Sequence, residues 1–350
     1  MKFPFDFNIT LIFRLVFPGI VLATAAMPAL MGLVGWLGIK QATEIYVLPV
    51  AAVIFGWLIV LGDQPIYMFL EGRGFAPGWL LEWMRGRQAK RLAKLHAKYL
   101  KLRAEGKKEL ANEVDIKRLD YPVGKDGEFY ARMPTRLGNL LYSYETYSNT
   151  AYKIDSIFYW YRLWVVLDKD LRSELTETQA IADSAVYVCF ASYVGMAIVL
   201  LYTVGGFVAQ IVHRTWFNLP DLPSPFGTLL IALGLLLLGQ FLNWLALFYQ
   251  RGYGELYKSL FDQFRDKLTF ADGVSKMAVA AGGDPEEAAR SKFRVTSRYL
   301  RWHRIRPTGE ANNWTPEAWA ARGPQPLAPI AAKQPSMWSR LMHRVKRGTP

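Results

Sequence analysis

The chain of 350 residues holds a single cysteine, Cys189, and four histidines. One thiol excludes an intramolecular disulfide and a cysteine-based zinc site. Cys189 lies in an apolar run, where it reads as a small buried hydrophobe. His96, His213, His303 and His343 are scattered without metal-ligand spacing. There is no Gly-x-x-x-x-Gly-Lys-Ser/Thr loop to cradle phosphates and no Gly-x-Ser-x-Gly elbow for acyl transfer. Gly72-Arg73-Gly74 is too short to be a nucleotide loop. Catalytic, cofactor and metal sites are therefore not expected. Acidic residues are in deficit: 29 Asp and Glu stand against 42 Lys and Arg, for a net charge of +13. That excess suits either nucleic acid or the anionic leaflet of a membrane. Aromatics are too few within the basic stretches for a nucleic-acid surface, so anionic lipid is the expected partner and nucleic acid is not.

Charge disappears entirely between Phe226 and Tyr249, which contain no Asp, Glu, Lys, Arg or His. About 20 residues of helix cross a bilayer core, and in lipid a lone apolar run must satisfy its backbone as a helix. Three more runs qualify, at roughly 15–37, 45–61 and 185–212. In the first, Ala25, Ala29, Gly32 and Gly35 are small enough for close helix approach, and Pro28 sits mid-span. Cleavage as a signal peptide after Ala23-Thr24-Ala25 is disfavoured, because Arg14 interrupts the apolar region and the run continues past Ala25. Gln240 and Asn243, three residues apart on one face of the last span, are expected to make intramembrane polar contacts, as helix–helix glue before pore lining.

The polar block from 63 to 184 opens with a basic amphipathic helix, expected from Trp79 to Arg103. Leu81, Met84, Leu92, Leu95, Tyr99 and Leu102 make one stripe among eight Lys and Arg. The stretch 105–127 reads as a loop or short hairpin. An aromatic segment follows, from Tyr142 to Trp164, suited to the headgroup layer. Its few charged residues, with Arg136 just before it, form a candidate interaction or ion site: Glu145, Asp155, Arg162 and Arg136. The helix after Asp168 is expected to run unbroken into the third span, and the fourth to continue past Gln250 on a stripe of Leu256, Leu260, Phe264 and Leu268.

The fold class expected is thus an all-α integral membrane protein, with four transmembrane helices in two hairpins and a helical cytoplasmic domain between the second and third spans. The divisions are an interfacial segment and hairpin over 1–62, the cytoplasmic domain over 63–184, and a second hairpin over 185–250. A cytoplasmic helical extension covers 251–306 and a disordered basic tail 307–350. The two short connections carry only Lys40 and Arg214, so the positive-inside rule puts both termini and the middle block in the cytoplasm.

Pro134-Thr135-Arg136-Leu137-Gly138-Asn139-Leu140-Leu141, with Tyr152-Lys153-Ile154-Asp155 and Trp160-Tyr161-Arg162-Leu163, resembles a group of uncharacterised bacterial four-span membrane proteins. Tyr253-Gly254-Glu255-Leu256 is similar to that group's second recurring patch. The resemblance implies bacterial origin and a four-span plan and supplies no mechanism. The function expected is that of a non-enzymatic membrane protein which scaffolds or regulates a partner complex, by self-association or by binding another protein. The alternatives are an oligomeric ion channel, and a membrane enzyme acting on lipid through Glu145, Asp155 or His213.

Overall fold

The computed structural model describes residues 12–38, 43–73, 76–124, 126–212, 224–280 and 283–305. The expected N-terminal interfacial helix falls mostly outside them, as do the connection at His213 and the tail with Trp338, Leu341, Met342 and Val345. The described residues are helical apart from turns and one isolated antiparallel bridge between Val123 and Phe129. In order, a π turn at Ile12–Val16 leads into α1 (Phe17–Trp36), and α2 (Glu44–Leu61) and α3 (Asp63–Glu71) follow. Next come α4 (Gly78–Ala104), α5 (Lys108–Arg118), α6 (Arg136–Tyr152) and α7 (Ser156–Val166). The long helices α8 (Lys169–Val212) and α9 (Pro225–Phe264) complete the first unit, with a 3₁₀ turn at Arg265–Lys267. A second unit, from Thr269 onward, contains α10 (Phe270–Ala280), α11 (Pro285–Arg290) and α12 (Lys292–Ile305).

Four helices among the described residues are long and apolar enough to cross a membrane, and they are α1, α2, α8 and α9. Each carries an apolar surface on nearly every side, which a soluble helix would not keep. α1 packs on α2 where both are smallest. A Cβ added at Gly19 would collide with the Ala52 carbonyl, and one at Gly56 with the Leu15 carbonyl. Ala23, Ala51 and Ala52 continue that seam. Close approach therefore falls at Gly19 and Gly56, whereas a Cβ at Gly35 would meet nothing within 4 Å. Of the small residues expected at an interface, Ala25 is used: it packs with Val199 and Ala232 between α1, α8 and α9, opposite Gly195. α8 and α9 run as single helices of 44 and 40 residues, as the patterning requires.

α4 matches the amphipathic stripe almost to the residue, with Leu92 buried and its basic face in water. It is covered by α5, an 11-residue helix in the stretch expected to be a loop. Ala111, Val114 and Arg118 recur at three and four residues and face inward. Only one stripe of that short, highly charged segment is apolar, which hid it in the sequence. The turn signals after it are used, with the Val123–Phe129 bridge closing over Gly127 at φ 83°.

Part of the aromatic segment is buried against protein. Tyr144 and Tyr159 are buried in protein, and Trp160 stacks on Tyr257 of α9 at 4.7 Å between centroids. Tyr144 packs on Tyr257 at 5.4 Å and on Tyr253 at 5.9 Å. The rings glue α6 and α7 to the extension of α9, because burying both faces of a ring removes more apolar area than leaving one half wet.

In the second unit, Thr296 donates to the Ala271 carbonyl at 3.0 Å and Lys292 pairs with Asp272 at 2.8 Å. Asp284 caps α11 by accepting from the Glu286 amide. The last part of the helical extension is two helices, broken at Ser291, whose amide still bonds back to Glu287.

If the α1–α2 seam depends on bare backbone, Gly19→Ala should destabilise the protein by about 1–3 kcal/mol through overpacking. Gly35→Ala should leave the melting temperature in detergent unchanged.

Candidate functional site

The ionisable residues that flank the four apolar helices converge at one level. Arg14 lies in the π turn before α1, Asp63 opens α3 directly after α2, Asp183 lies in α8, and Gln250 follows the apolar part of α9. Arg14 Nη2 donates to Asp183 Oδ2 at 2.6 Å, and Tyr67 Oη donates to Asp183 Oδ1 at 2.5 Å. Gln250 Nε2 donates to Tyr67 Oη at 2.8 Å, while Gln250 Oε1 accepts from Tyr144 Oη at 3.3 Å. Tyr187 Oη donates to Asp63 Oδ1 at 2.5 Å and accepts from Arg14 Nη2 at 3.5 Å. One chain of hydrogen bonds thus joins α1, α3, α6, α8 and α9. Asp183 and Gln250 are almost wholly buried, at 4% and 1% exposure. A buried carboxylate persists only when its partners offset lost hydration, and Asp183 has a guanidinium and a phenol.

Two further clusters adjoin this ring. In the first, Asp120, 1% exposed, receives both Arg136 and Arg251. Arg136 Nε donates at 2.9 Å, and Arg251 binds in the bidentate fashion from Nε at 2.5 Å and Nη2 at 2.8 Å. In the second, Arg73 sits between two carboxylates, in contact with Glu71 and 4.0 Å from Glu145. Burial pushes the Glu71 carboxyl up to about 7; Arg73 opposes this and Glu145 adds to it. Glu145 is also raised, chiefly by burial.

The local sequence explains why these groups are held. Thr135 caps α6 by accepting from the Gly138 amide at 2.9 Å. Asn139, fully buried, accepts from the Arg132 and Met133 amides and donates to the Met133 and Thr135 carbonyls, so its amide is fully used. Gly138 admits the Glu71 carbonyl, since a Cβ there would come within 2.8 Å of it. Gly254 of α9 accepts the Tyr144 ring in the same way, its Cβ falling 2.6 Å from Cδ1. The stretch 134–141 thereby receives the end of α3, and α6 meets the patch at 253–256. Lys153, at φ 59°, closes α6, with the Ile154 amide bonding back to the Ser148 carbonyl and Ser148 Oγ donating to that of Ile154.

Of the four residues expected to share one site, Arg136 and Glu145 hold different posts. Arg136 belongs to the Asp120 clamp and Glu145 to the Arg73 pair, nine residues along α6 and so about 13 Å apart on its axis. Asp155 caps α7 by accepting from the Phe158 amide at 3.1 Å. Arg162 lies over the Phe158 ring at 3.8 Å and donates to the Phe158 carbonyl. Gln240 is exposed on the outer face of α9 and Asn243 is half-buried, with no cross-helix hydrogen bond to either among the described residues. The side-chain bond between spans is instead Thr203 to Thr228, at 2.8 Å. Asp183, Tyr67, Gln250 and Asp120 were not singled out by sequence. For Asp183 and Gln250 the only signal was position, one polar residue beside the end of an apolar run; Tyr67 and Asp120 carried none. Among the described residues no group of three His, Cys, Asp or Glu could hold a metal ion.

These features define an all-helical protein with four helices fit to cross a membrane and a ring of buried polar residues joining one set of their ends. No family model, curated protein or solved structure matches the chain.

A carboxyl raised on folding binds its proton more tightly in the native state. The associated stability is complete below the unfolded value of 4.5 and is lost as pH rises through about 7. Melting the wild type from pH about 5 to about 8 should reveal that decline, and Glu71→Gln should flatten it. Parallel curves for the two proteins would assign the slope elsewhere.

Proposed function

We propose that the protein holds a partner protein at the cytoplasmic face of a bacterial inner membrane, with the spans paired as two hairpins and both termini inside. The observation that carries this reading is on α7. Ile157, Tyr161 and Val165 recur every four residues and are 74%, 77% and 75% exposed. Their helix is fixed from behind by buried Tyr159 and Leu163 and by the stack of Trp160 on Tyr257.

Depth favours a protein over lipid at this stripe. Tyr257 lies seven residues beyond Gln250 along α9, which is about 10 Å of helix. Leu167, where α7 ends, precedes Asp183 by sixteen residues, or about 24 Å. The polar layer outside the hydrocarbon is only about 6 Å thick on each side. With the Arg14–Asp183 level at the edge of the hydrocarbon, the stripe stands in water. An apolar row held rigid there fits the helix-in-groove mode of docking. The basic face of α4, with Trp79 and Trp83 exposed in its first turns, suits contact with anionic lipid.

A second reading, an oligomeric channel or other self-assembly, is supported by Gln240. Its amide faces outward among exposed Leu237, Phe241 and Trp244. A polar group on a lipid-facing surface gains about 0.6–2 kcal/mol by bonding to another helix.

Replacing Ile157 and Tyr161 by Arg should abolish specific cross-linking to the partner in intact membranes while leaving the melting temperature unchanged; an unaltered cross-link pattern rules out this face. For the second reading, Gln240→Cys in a Cys189→Ser background should give an oxidised dimer in membranes. Liposomes containing that assembly should pass ions. A chain that stays monomeric under oxidation would end the idea.

A further inference from the structure

An apolar groove of about 410 Å³ lies along the membrane-spanning part of the fold, with α8 as its floor and α1 and α9 as its walls. Val199 and Tyr202 come from α8, Met27 and Met31 from α1, and Ile231 and Leu238 from α9. Where Ala25, Val199 and Ala232 pack together, the three helices meet. Along α9 the groove reaches from Leu238 to Thr228, ten residues, or about 15 Å of helix. That is the depth of one leaflet of a hydrocarbon core about 30 Å thick. Leu238 stands twelve residues and Thr228 twenty-two residues from Gln250, about 18 and 33 Å along the axis. Along α8 and α9 the groove therefore lies in the leaflet remote from the Arg14–Asp183 level, and along α1 it reaches in to Ile20, six residues or about 9 Å from Arg14.

Apart from Thr24, midway along α1, its polar side chains lie toward the remote end. Thr228 is there, bonded to Thr203 at 2.8 Å. Glu44, the first residue of α2, also lines the groove, and among the described residues it is the one acidic or basic residue that does. Nineteen residues separate Glu44 from Asp63 along α2 and into α3, about 28 Å, so its carboxylate stands at the level of the headgroups.

We propose that this groove binds one acyl chain of a phospholipid whose headgroup carries an ammonium, placed against the Glu44 carboxylate. The chain fills the apolar channel, which along α9 is as deep as one leaflet. The volume falls within the 300–1,000 Å³ of small-molecule sites. Opposite charge selects an amine headgroup over an anionic one. The inference rests on the membrane placement of α1, α8 and α9. It is independent of the partner at α7 and of which side is cytoplasmic.

The test uses the full chain in nanodiscs of equal phosphatidylethanolamine and phosphatidylglycerol, re-extracted into mild detergent and weighed by native mass spectrometry. The wild type should retain one phosphatidylethanolamine per chain. Ile231→Trp and Leu238→Trp, both at exposed positions of the wall, should lose that adduct while melting as the wild type does. Glu44→Gln should keep a lipid but take the two headgroups equally. An adduct that survives both tryptophans, or a wild type with no retained lipid, overturns the site. Equal retention of both lipids by the wild type overturns the headgroup assignment. Protein that remains dissolved without detergent or disc would instead refute the membrane placement.

Discussion

The pairing of Arg14 with Asp183 is the constraint on which the remaining polar architecture depends. Asp183 lies in the longest helix of the molecule, at the point where its polar first turns give way to an apolar surface. Buried there alone it would be neutralised or hydrated. Bound to a guanidinium and to the Tyr67 phenol, it can stay charged and dry. Because Tyr67 also accepts from Gln250, and Gln250 from Tyr144, the pair determines the mutual height of four helices and of α6 against them. A slip of one residue along any helix shifts a donor by about 1.5 Å, enough to break bonds as short as these. Apolar helices in lipid have no comparable device, since their contacts are as favourable a little higher or lower.

That fixed level organises what lies on either side of it. Beyond it, α8 and α9 continue as bare helical extensions, and the aromatic faces of α6 and α7 clothe α9. The Asp120 clamp and the Glu71–Arg73–Glu145 group fasten the loops of the same region with charge. The construction is polar and specific, and it presents the α7 stripe on a stiff support. On the other side the packing is carried by small residues, Gly19 against Ala52 and Ala25 against Ala232, and by one threonine pair. Small-residue contacts bring backbones close at single points, and between those points a groove opens. The division of labour follows from composition: charge is costly in hydrocarbon, and the four helices fit to cross it keep their charged partners at the ends of their apolar runs.

Much of this architecture was legible in the residues themselves. The apolar runs, the continuous helix through 185, the extension past Gln250 and the stripe of α4 all follow from periodicity, which is a local property. The short helix α5 was missed because three inward residues in eleven make too weak a rhythm. The candidate site was read less well. Arg136, Glu145, Asp155 and Arg162 were grouped because they are close in sequence and stand in or beside the aromatic segment. Each takes a partner dictated by its own helix face, and for Arg136 and Glu145 that partner comes from another element: Asp120 and Arg73.

By itself, then, the sequence determined the long helices and which four of them are fit for a bilayer, because hydropathy and period are carried by neighbours along the chain. It also determined the local caps, Thr135 and Asp155, whose bonds reach only three residues onward. Only the tertiary structure decided that Arg14 would find Asp183, 169 residues away, and that Tyr144 would find Gln250. Those bonds join groups whose sequence separation says nothing of their separation in space. Their formation depends on the height and rotation at which the apolar helices pack.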